Sequence, residues 1–114
     1  MERLKSINEK NIAILEENGF KYNGIAWDKF PLSAELETYT DGGEDMIISL
    51  EAVTREKFEE YIENFDVNEN VLMWWKEGLE TARKMRVPFN NIKEHYEDYE
   101  KFLERLKGIA KLLN

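Results

Sequence analysis

The chain has 114 residues, of which 42% are hydrophobic, so it is long enough to close one core as a single domain over residues 1–114. It contains no cysteine, which excludes disulfides and thiolate metal sites and favours the cytoplasm, and no apolar run approaches the roughly 20 residues of a membrane span. The net charge of −8 disfavours direct binding to nucleic acid, because phosphate contacts require Lys and Arg.

The first predicted element is an amphipathic helix over residues 3–18, which ends at the stop signal Asn18-Gly19. Its apolar face consists of residues at helical spacing, namely Leu4, Ile7, Asn11, Ile14 and Leu15. An aromatic segment over residues 20–27 follows. Its Asn23-Gly24 dipeptide predicts a two-residue turn between very short strands.

A β-hairpin is predicted over residues 33–50. Apolar positions alternate with polar ones at Ala34, Leu36 and Thr38 on the first strand and at Met46, Ile48 and Leu50 on the second. The stretch Asp41-Gly42-Gly43-Glu44 is a turn signal, because glycine takes the positive φ that hairpin loops need. Two strands alone are marginal in water, so other elements must cover the apolar face.

Three helices are predicted after the hairpin, capped by Thr54, Asp66 and Asn91, with Pro88 ending the second. Their apolar faces are Phe58, Tyr61, Ile62 and Phe65; then Val71, Trp74, Trp75, Gly78, Leu79 and Ala82; then Ile92, Tyr96, Tyr99, Leu103, Leu106, Ala110 and Leu113. This order predicts an α+β fold: an N-terminal helix, a small antiparallel β-hairpin or three-stranded sheet, and three helices packed on it.

The acidity is concentrated in residues 33–69, which hold twelve acidic and two basic residues for a net charge of −10, whereas the rest of the chain sums to +2. The acids are Glu35, Glu37, Asp41, Glu44, Asp45, Glu51, Glu56, Glu59, Glu60, Glu63, Asp66 and Glu69. Strand alternation and helical spacing predict that the carboxylates of the first strand and of the second helix are solvent-exposed, with the turn able to join the two sets at one edge. Such a surface fits a basic protein partner, or it only keeps the protein soluble.

No catalytic constellation is recognisable, and no cofactor or metal is expected. His95 is the single histidine, and we predict a partly exposed residue at the start of a helix. Glu35 and Glu37 could stand together as glycosidase acids do, but a short hairpin offers no evident cleft. The turn over residues 41–45 could hold calcium weakly, although it lacks the ligand spacing of an EF-hand, and an acidic turn is the preferred interpretation.

Trp74 and Trp75 are consecutive on a predicted helix, about 100° apart around its axis. We predict that Trp74 packs inward and that Trp75 lies at the margin of the core, with an aromatic anchor for a partner as the alternative. The apolar seam of the last helix is interpreted as an intramolecular packing face rather than a dimer zipper. The expected state is a monomer or a weak homodimer.

The stretches over residues 35–45 and 64–71, with Trp74, the Pro88 loop and the acidic-then-leucine-rich last helix, resemble a group of small acidic proteins of gut Firmicutes and their phages or mobile elements. The resemblance covers about two thirds of the chain and brings no activity and no functional residue with it. In the order of its elements and its acidity, the chain is also similar to acidic inhibitors of CRISPR nucleases, which occupy a DNA-binding channel with carboxylates.

Three hypotheses follow. The first is a non-enzymatic interaction protein that mimics nucleic-acid phosphate and inhibits a basic nucleic-acid-binding protein, with neither nucleic acid nor a membrane as a direct partner. Its predicted contact residues are Glu35, Glu37, Asp41, Glu44, Asp45, Glu56, Glu59, Glu60, Glu63 and Trp75. The second is a homo-oligomeric or accessory structural protein that uses Trp75 and the last helix. The third is an enzyme that depends on carboxylates.

Overall fold

The computed structural model describes residues 7–25 and 33–114. In chain order the elements are α1 (Glu9–Glu17), β1 (Lys21–Ile25), β2 (Ala34–Tyr39), β3 (Asp45–Leu50), α2 (Arg55–Asn64), α3 (Val67–Met85) and α4 (Ile92–Ala110). The strands form one antiparallel sheet in the order β1-β2-β3, so the predicted α+β class is confirmed. The predictions for residues 3–6 and for Trp27 lie outside the described residues.

The hairpin of β2 and β3 is confirmed together with its two faces. Leu36 lies opposite Ile48, and both side chains are fully buried. The turn is closed by the Thr40 amide, which donates to the Glu44 carbonyl at 2.9 Å. Gly43 has a φ of 88°, which explains why glycine occupies this position.

The predicted turn at Asn23-Gly24 is wrong, because both residues lie within β1. Tyr22 pairs with Leu36 and Gly24 pairs with Glu35, so Asn23 is an extra residue in a β-bulge. Gly24 has a φ of 104°. A bulge and a tight turn both use the positive φ of glycine, so the dipeptide alone does not distinguish them.

The first helix begins at Glu9, so the prediction that residues 7 and 8 are helical is wrong. The side-chain oxygen of Asn8 accepts a hydrogen bond from the Asn11 amide at 3.1 Å. Asparagine is a strong N-cap because its side chain satisfies an amide that the helix leaves without a partner. Ile7 is buried just before this cap, which is why it fitted the apolar helical pattern.

One hydrophobic core lies between the sheet and the helices α1, α2 and α4. Its fully buried members include Ile12, Leu15, Leu36, Ile48, Phe58, Phe102 and Leu106. Phe65 follows α2 and packs its ring 5.8 Å from that of Phe102. Because large apolar side chains each stabilise a fold by roughly 1.5–3 kcal/mol when buried, this region carries most of the stabilisation from apolar burial.

Two polar side chains tie distant segments to the core. Asn11 is fully buried and donates to the carbonyls of Val53 and Asn114 at 3.0 and 2.8 Å, while its side-chain oxygen accepts from the Asn114 amide at 3.0 Å. Arg105 donates to the carbonyls of Tyr39 and Asn18 at 2.6 and 3.1 Å. These bonds satisfy polar groups whose burial without partners would cost about 1–3 kcal/mol each.

Helix α4 buries most of the predicted seam, including Ala110 and, just beyond the helix, Leu113, but it also buries two residues outside that seam. Phe102 and Ile109 are buried although neither belongs to that seam, whereas Ile92 is 41% exposed. Tyr99 and Leu106 are buried as predicted. The helix faces the core over its second half and only α3 near its start, so its buried face is not one uniform stripe.

Helix α3 packs chiefly on α4. Asp66 caps it as predicted, and Thr54 likewise caps α2, but Asn91 makes no side-chain capping bond at the start of α4. Helix α3 ends at Met85, three residues before Pro88. Arg86, which follows the last helical residue, adopts the left-handed conformation with a φ of 56°. The chain then folds back along α3.

Candidate interaction site

The acidic turn of the hairpin is fixed to α4 by one carboxylate. Asp98 accepts a hydrogen bond from the Thr40 hydroxyl at 2.6 Å and another from the Gly42 amide at 2.7 Å. The Thr40 hydroxyl in turn accepts from the Glu44 amide at 3.0 Å. Hydrogen bonds to an ionised acceptor are roughly twice as strong as neutral ones. The turn is therefore held rigidly at both ends.

Acidic residues of α4 extend the acidity of this turn. Asp41 is exposed and lines a shallow groove with Glu97, Glu100, Glu104 and Lys101. Glu104 pairs with Lys107 at 3.1 Å, but Asp41, Glu97 and Glu100 form no ion pair with any described residue. The sequence placed the edge of the acidic surface between the hairpin and α2. The structure instead joins the turn to the first half of α4.

The acidic residues of α2 are exposed, as predicted, but part of their charge is balanced locally. The four glutamates Glu56, Glu59, Glu60 and Glu63 line a shallow groove of about 730 Å³. Arg55 pairs with Glu59 at 2.6 Å, and Lys57 pairs with Glu60 at 3.5 Å. Within the described residues, no Lys or Arg from residues 70–114 pairs with any of the ten predicted contact residues.

Lys57 also contacts Glu51 at the end of the sheet, at 3.3 Å. The hydrogen bond with Glu51, together with the charge of Glu60, raises the pKa of the Lys57 ammonium. The cation is therefore retained between two carboxylates. Charge on this side of the molecule is mixed rather than uniformly negative.

The predicted exposure of Glu35 and Glu37 is only partly met, because both are half-buried on β2. Glu35 accepts a hydrogen bond from the Asn23 side chain at 3.3 Å, and Glu37 lies between Lys21 and Ile47 in the cross-strand register. Side chains of neighbouring strands therefore crowd both carboxylates. They lie apart from the exposed acids of the turn.

His95 is partly exposed near the start of α4, as predicted, and aromatic rings enclose much of its side chain. Its side chain is 17% exposed, its ring stacks on Trp74 at an interplanar angle of 22°, and Tyr99 lies 6.4 Å away. Its buried Nδ1 lies 3.5 Å from a carboxylate oxygen of Glu44 without forming a hydrogen bond. Burial, followed by the charges of Glu44, Asp98 and Glu77, raises the pKa of Tyr99.

The two tryptophans occupy different positions. Trp74 lies between His95 and Phe89, whose ring covers Gly78, but it is only half-buried and lies outside the hydrophobic core, so the predicted packing into the core is not met. Trp75 is half-buried and lines an apolar groove of about 380 Å³ between α3 and α4. Its neighbours in this groove are Asn68, Val71, Leu72, Ile92 and Tyr96. Trp75 is thus separated from the acidic turn and belongs to a second surface.

Within residues 7–25 and 33–114, no group of three or more His, Asp or Glu side chains has an arrangement that could hold a metal ion. The acidic turn therefore does not gather its carboxylates around one point. In the same part of the chain, no helix has the length and apolar character needed to cross a membrane.

Sequence reasoning missed the residues that organise the site, above all Asp98. Asp98 lies 56 residues from Gly42 along the chain. Its position in the predicted helix does not distinguish it from any other solvent-exposed acidic residue. Arg105 likewise joins α4 to β2, and its guanidinium lies 5.7 Å from the Phe20 ring centre.

Comparison of the chain with protein-family models, with curated proteins and with solved structures finds no match.

Proposed function

We propose that the protein is a non-enzymatic interaction protein whose acidic turn binds a basic protein surface in place of nucleic-acid phosphate. The contact surface consists of Asp41 and Asp45 in the hairpin turn and Glu97 of α4, which lines a groove with Asp41. All three carboxylates are exposed, and none forms an ion pair with a described residue. The observation that carries the proposal is the attachment of the turn to α4 by Asp98.

A rigid turn matters because binding costs free energy when loops become ordered. A contact surface that is already fixed avoids a loss of about 0.5–1.5 kcal/mol for each side chain that would otherwise be immobilised. The hydrogen bonds to Asp98 hold the backbone of the turn, so its carboxylates are presented from a fixed frame. Complementary charge then accelerates encounter with a basic partner.

The turn is a better candidate than α2. Glu59 and Glu60 are paired with Arg55 and Lys57 on the same helix, so a partner would have to break those pairs or bind around them. Lys107 and Lys111 also line a groove beside Glu59 and Glu63. Exposed pairs of this kind contribute little to stability, but they reduce the negative potential that attracts a cationic partner.

The test is affinity capture with two variants of equal charge. The tagged protein is incubated with extract of its source cell, and bound proteins are eluted by a salt gradient with and without a competing DNA duplex. We expect the tagged protein to capture nucleic-acid-binding proteins. The DNA duplex should displace them, and high salt should release them. The variant D41N/D45N/E97Q should lose this capture, whereas E56Q/E59Q/E63Q, with the same change of three charges, should retain most of it.

Equal losses in both variants would show a nonspecific effect of net charge. Capture that is insensitive to salt and to DNA would contradict phosphate mimicry. Either result removes the proposal.

The role of Asp98 is tested by two substitutions that remove the same charge. Asn can still contact both Thr40 and Gly42, because the Thr40 hydroxyl can accept from the Asn side-chain amide, whereas Ala can contact neither. We expect D98A to weaken binding of the partner identified above by about tenfold and D98N by much less. If the two variants bind equally, rigidity of the turn is not what the partner requires.

A further inference from the structure

The groove between α3 and α4 is apolar in its interior and charged at its two ends. Leu72 is 49% exposed and Ile92 is 41% exposed, and both line the groove together with Trp75 and Tyr96. Helix α3 packs chiefly on α4, so this side of the helix pair has no covering layer among the described elements. Large apolar side chains with such exposure on adjacent helices mark a surface that binds a partner.

The direction of the two helices places like charges together. Phe65 contacts Tyr99 near the start of α3, whereas Trp74 contacts His95 further along, so α3 and α4 run antiparallel. Glu69 on α3 and Glu100 on α4 consequently lie toward the Asn68 end of the groove. The four residues Asn68, Val71, Leu72 and Trp75 mark its length along α3.

The opposite end of the groove is basic. Lys76 lies four residues after Leu72 on α3, and Lys93 lies three residues before Tyr96 on α4, so helical spacing places both on the groove side. All four charged residues at the two ends are exposed, and none of them forms an ion pair with a described residue. Their charges are therefore available to a partner.

We infer that the groove binds a second copy of the same chain in a symmetric dimer. A two-fold axis through the middle of the groove exchanges its ends, so Glu69 and Glu100 of one copy meet Lys76 and Lys93 of the other. The same rotation packs Leu72 against the apolar groove of its mate. An interface made by one patch on both subunits must be self-complementary in this way, and a groove with one acidic and one basic end satisfies that requirement.

The dimer brings four helices together around the apolar side chains of the groove. Two pairs of antiparallel helices can bury their apolar faces against each other as a four-helix bundle. Helices α3 and α4 each have 19 residues and are about 28 Å long, which is enough for such packing. The interface is small, so we expect a dissociation constant in the micromolar range, on the order of that of transient complexes. The two surfaces share Glu100, which also lines the groove beside Asp41. The variants D41N/D45N/E97Q and L72E each change only one of the two surfaces, so the two proposals fail independently.

The first experiment is sedimentation velocity over a dilution series. We expect a concentration-dependent dimer that L72E weakens by at least about tenfold. M73E is the matched control. Met73 is the next residue of the same helix and is 56% exposed, but it does not line the groove. Circular dichroism and melting temperature check that both variants fold, as expected for exposed positions.

The second experiment tests the charges. The variant K76E/K93E makes the groove ends entirely acidic, and E69K/E100K makes them entirely basic, so each alone should sediment as a monomer. An equimolar mixture should form a heterodimer, because acidic ends then meet basic ends. A wild-type protein that is monomeric at all concentrations, a dimer unaffected by L72E, an equal effect of M73E, or a mixture that stays monomeric would each overturn the inference.

Discussion

The protein has two regions that are built differently. The body consists of α1, the sheet, α2 and the second half of α4, and its buried side chains come from all of these elements. The arm consists of α3, the first turns of α4 and the loop between them, and only Val71 and Ala82 of α3 are buried. The body closes its own core, whereas the arm leaves one side of a helix pair uncovered.

The overall dimensions reflect this difference. The radius of gyration is 15.9 Å, and the principal extents are 50 × 28 × 22 Å. A compact domain of this length has a radius of gyration of about 13 Å. The excess comes from a helix pair that extends beyond the body. The comparison indicates that stability resides in the body, whereas the two proposed contact surfaces lie in the arm and at the acidic turn where the regions meet.

The largest expected effect is the loss of a core aromatic residue from the body. Phe102→Ala should destabilise the protein by about 3–5 kcal/mol, because the fully buried ring packs against Phe65 and its removal leaves a cavity. Ile92→Ala lies on the same helix but in the arm, and its side chain is 41% exposed, so it should cost less than about 1 kcal/mol. Denaturant unfolding measures both, and similar losses would contradict the division into body and arm.

The second prediction concerns the buried hydrogen bonds that Asn11 makes in the body. Asn11→Ala removes three hydrogen bonds and leaves main-chain groups of Val53 and Asn114 without their partner, which should cost about 2–4 kcal/mol. Asn68→Ala in the arm is the control, since Asn68 is exposed, and should change stability by less than about 0.5 kcal/mol. Thermal unfolding of both variants tests the difference. A small loss of stability in Asn11→Ala would mean that water replaces the hydrogen bonds of the Asn11 side chain.

The third prediction concerns alkaline pH. Burial raises the pKa of Tyr61 to about 12 in the folded body, whereas in the unfolded chain it is about 10. Above pH 10 the unfolded state releases this proton and the folded state does not. Stability should therefore fall as pH rises from about 10 to about 12, by roughly 2–3 kcal/mol from this group. Tyr61→Phe should remove that part of the pH dependence, and an unchanged slope in denaturant titrations at these pH values would refute the assignment.

The smallest expected effect compares two glycines in helices. Gly108→Ala should stabilise the protein by about 0.5–1 kcal/mol, because no atom lies near the added methyl group and alanine favours a helix. Gly78→Ala should instead destabilise the arm by about 1 kcal/mol, because its methyl group would overlap the Phe89 ring. Hydrogen exchange should show faster opening of α3 in this variant while amides of the sheet stay protected. Stabilisation by both substitutions would mean that Phe89 does not pack firmly on α3.

Patterns confined to a few neighbouring residues determined much of the fold. The alternation around Leu36 predicted the hairpin and its buried face, and Thr54 and Asp66 predicted the starts of α2 and α3 correctly. These features follow from local rules, since a strand alternates its side chains and a capping oxygen binds an amide two or three residues away. The exposure of the acidic residues of α2 followed from the same spacing.

Contacts between distant residues could not be read in this way. Asn23-Gly24 forms a bulge rather than a turn because β1 continues its pairing with β2. Phe102 is buried because α2 and the sheet meet α4 there, and the acidic turn joins α4 because Asp98 reaches Gly42 across 56 residues. The sequence by itself determined the elements and the total charge, whereas the tertiary structure decided which charges lie together and which apolar side of the arm stays uncovered. The physical reason is that local propensity depends on neighbours along the chain, but burial and the electrostatic field depend on neighbours in space.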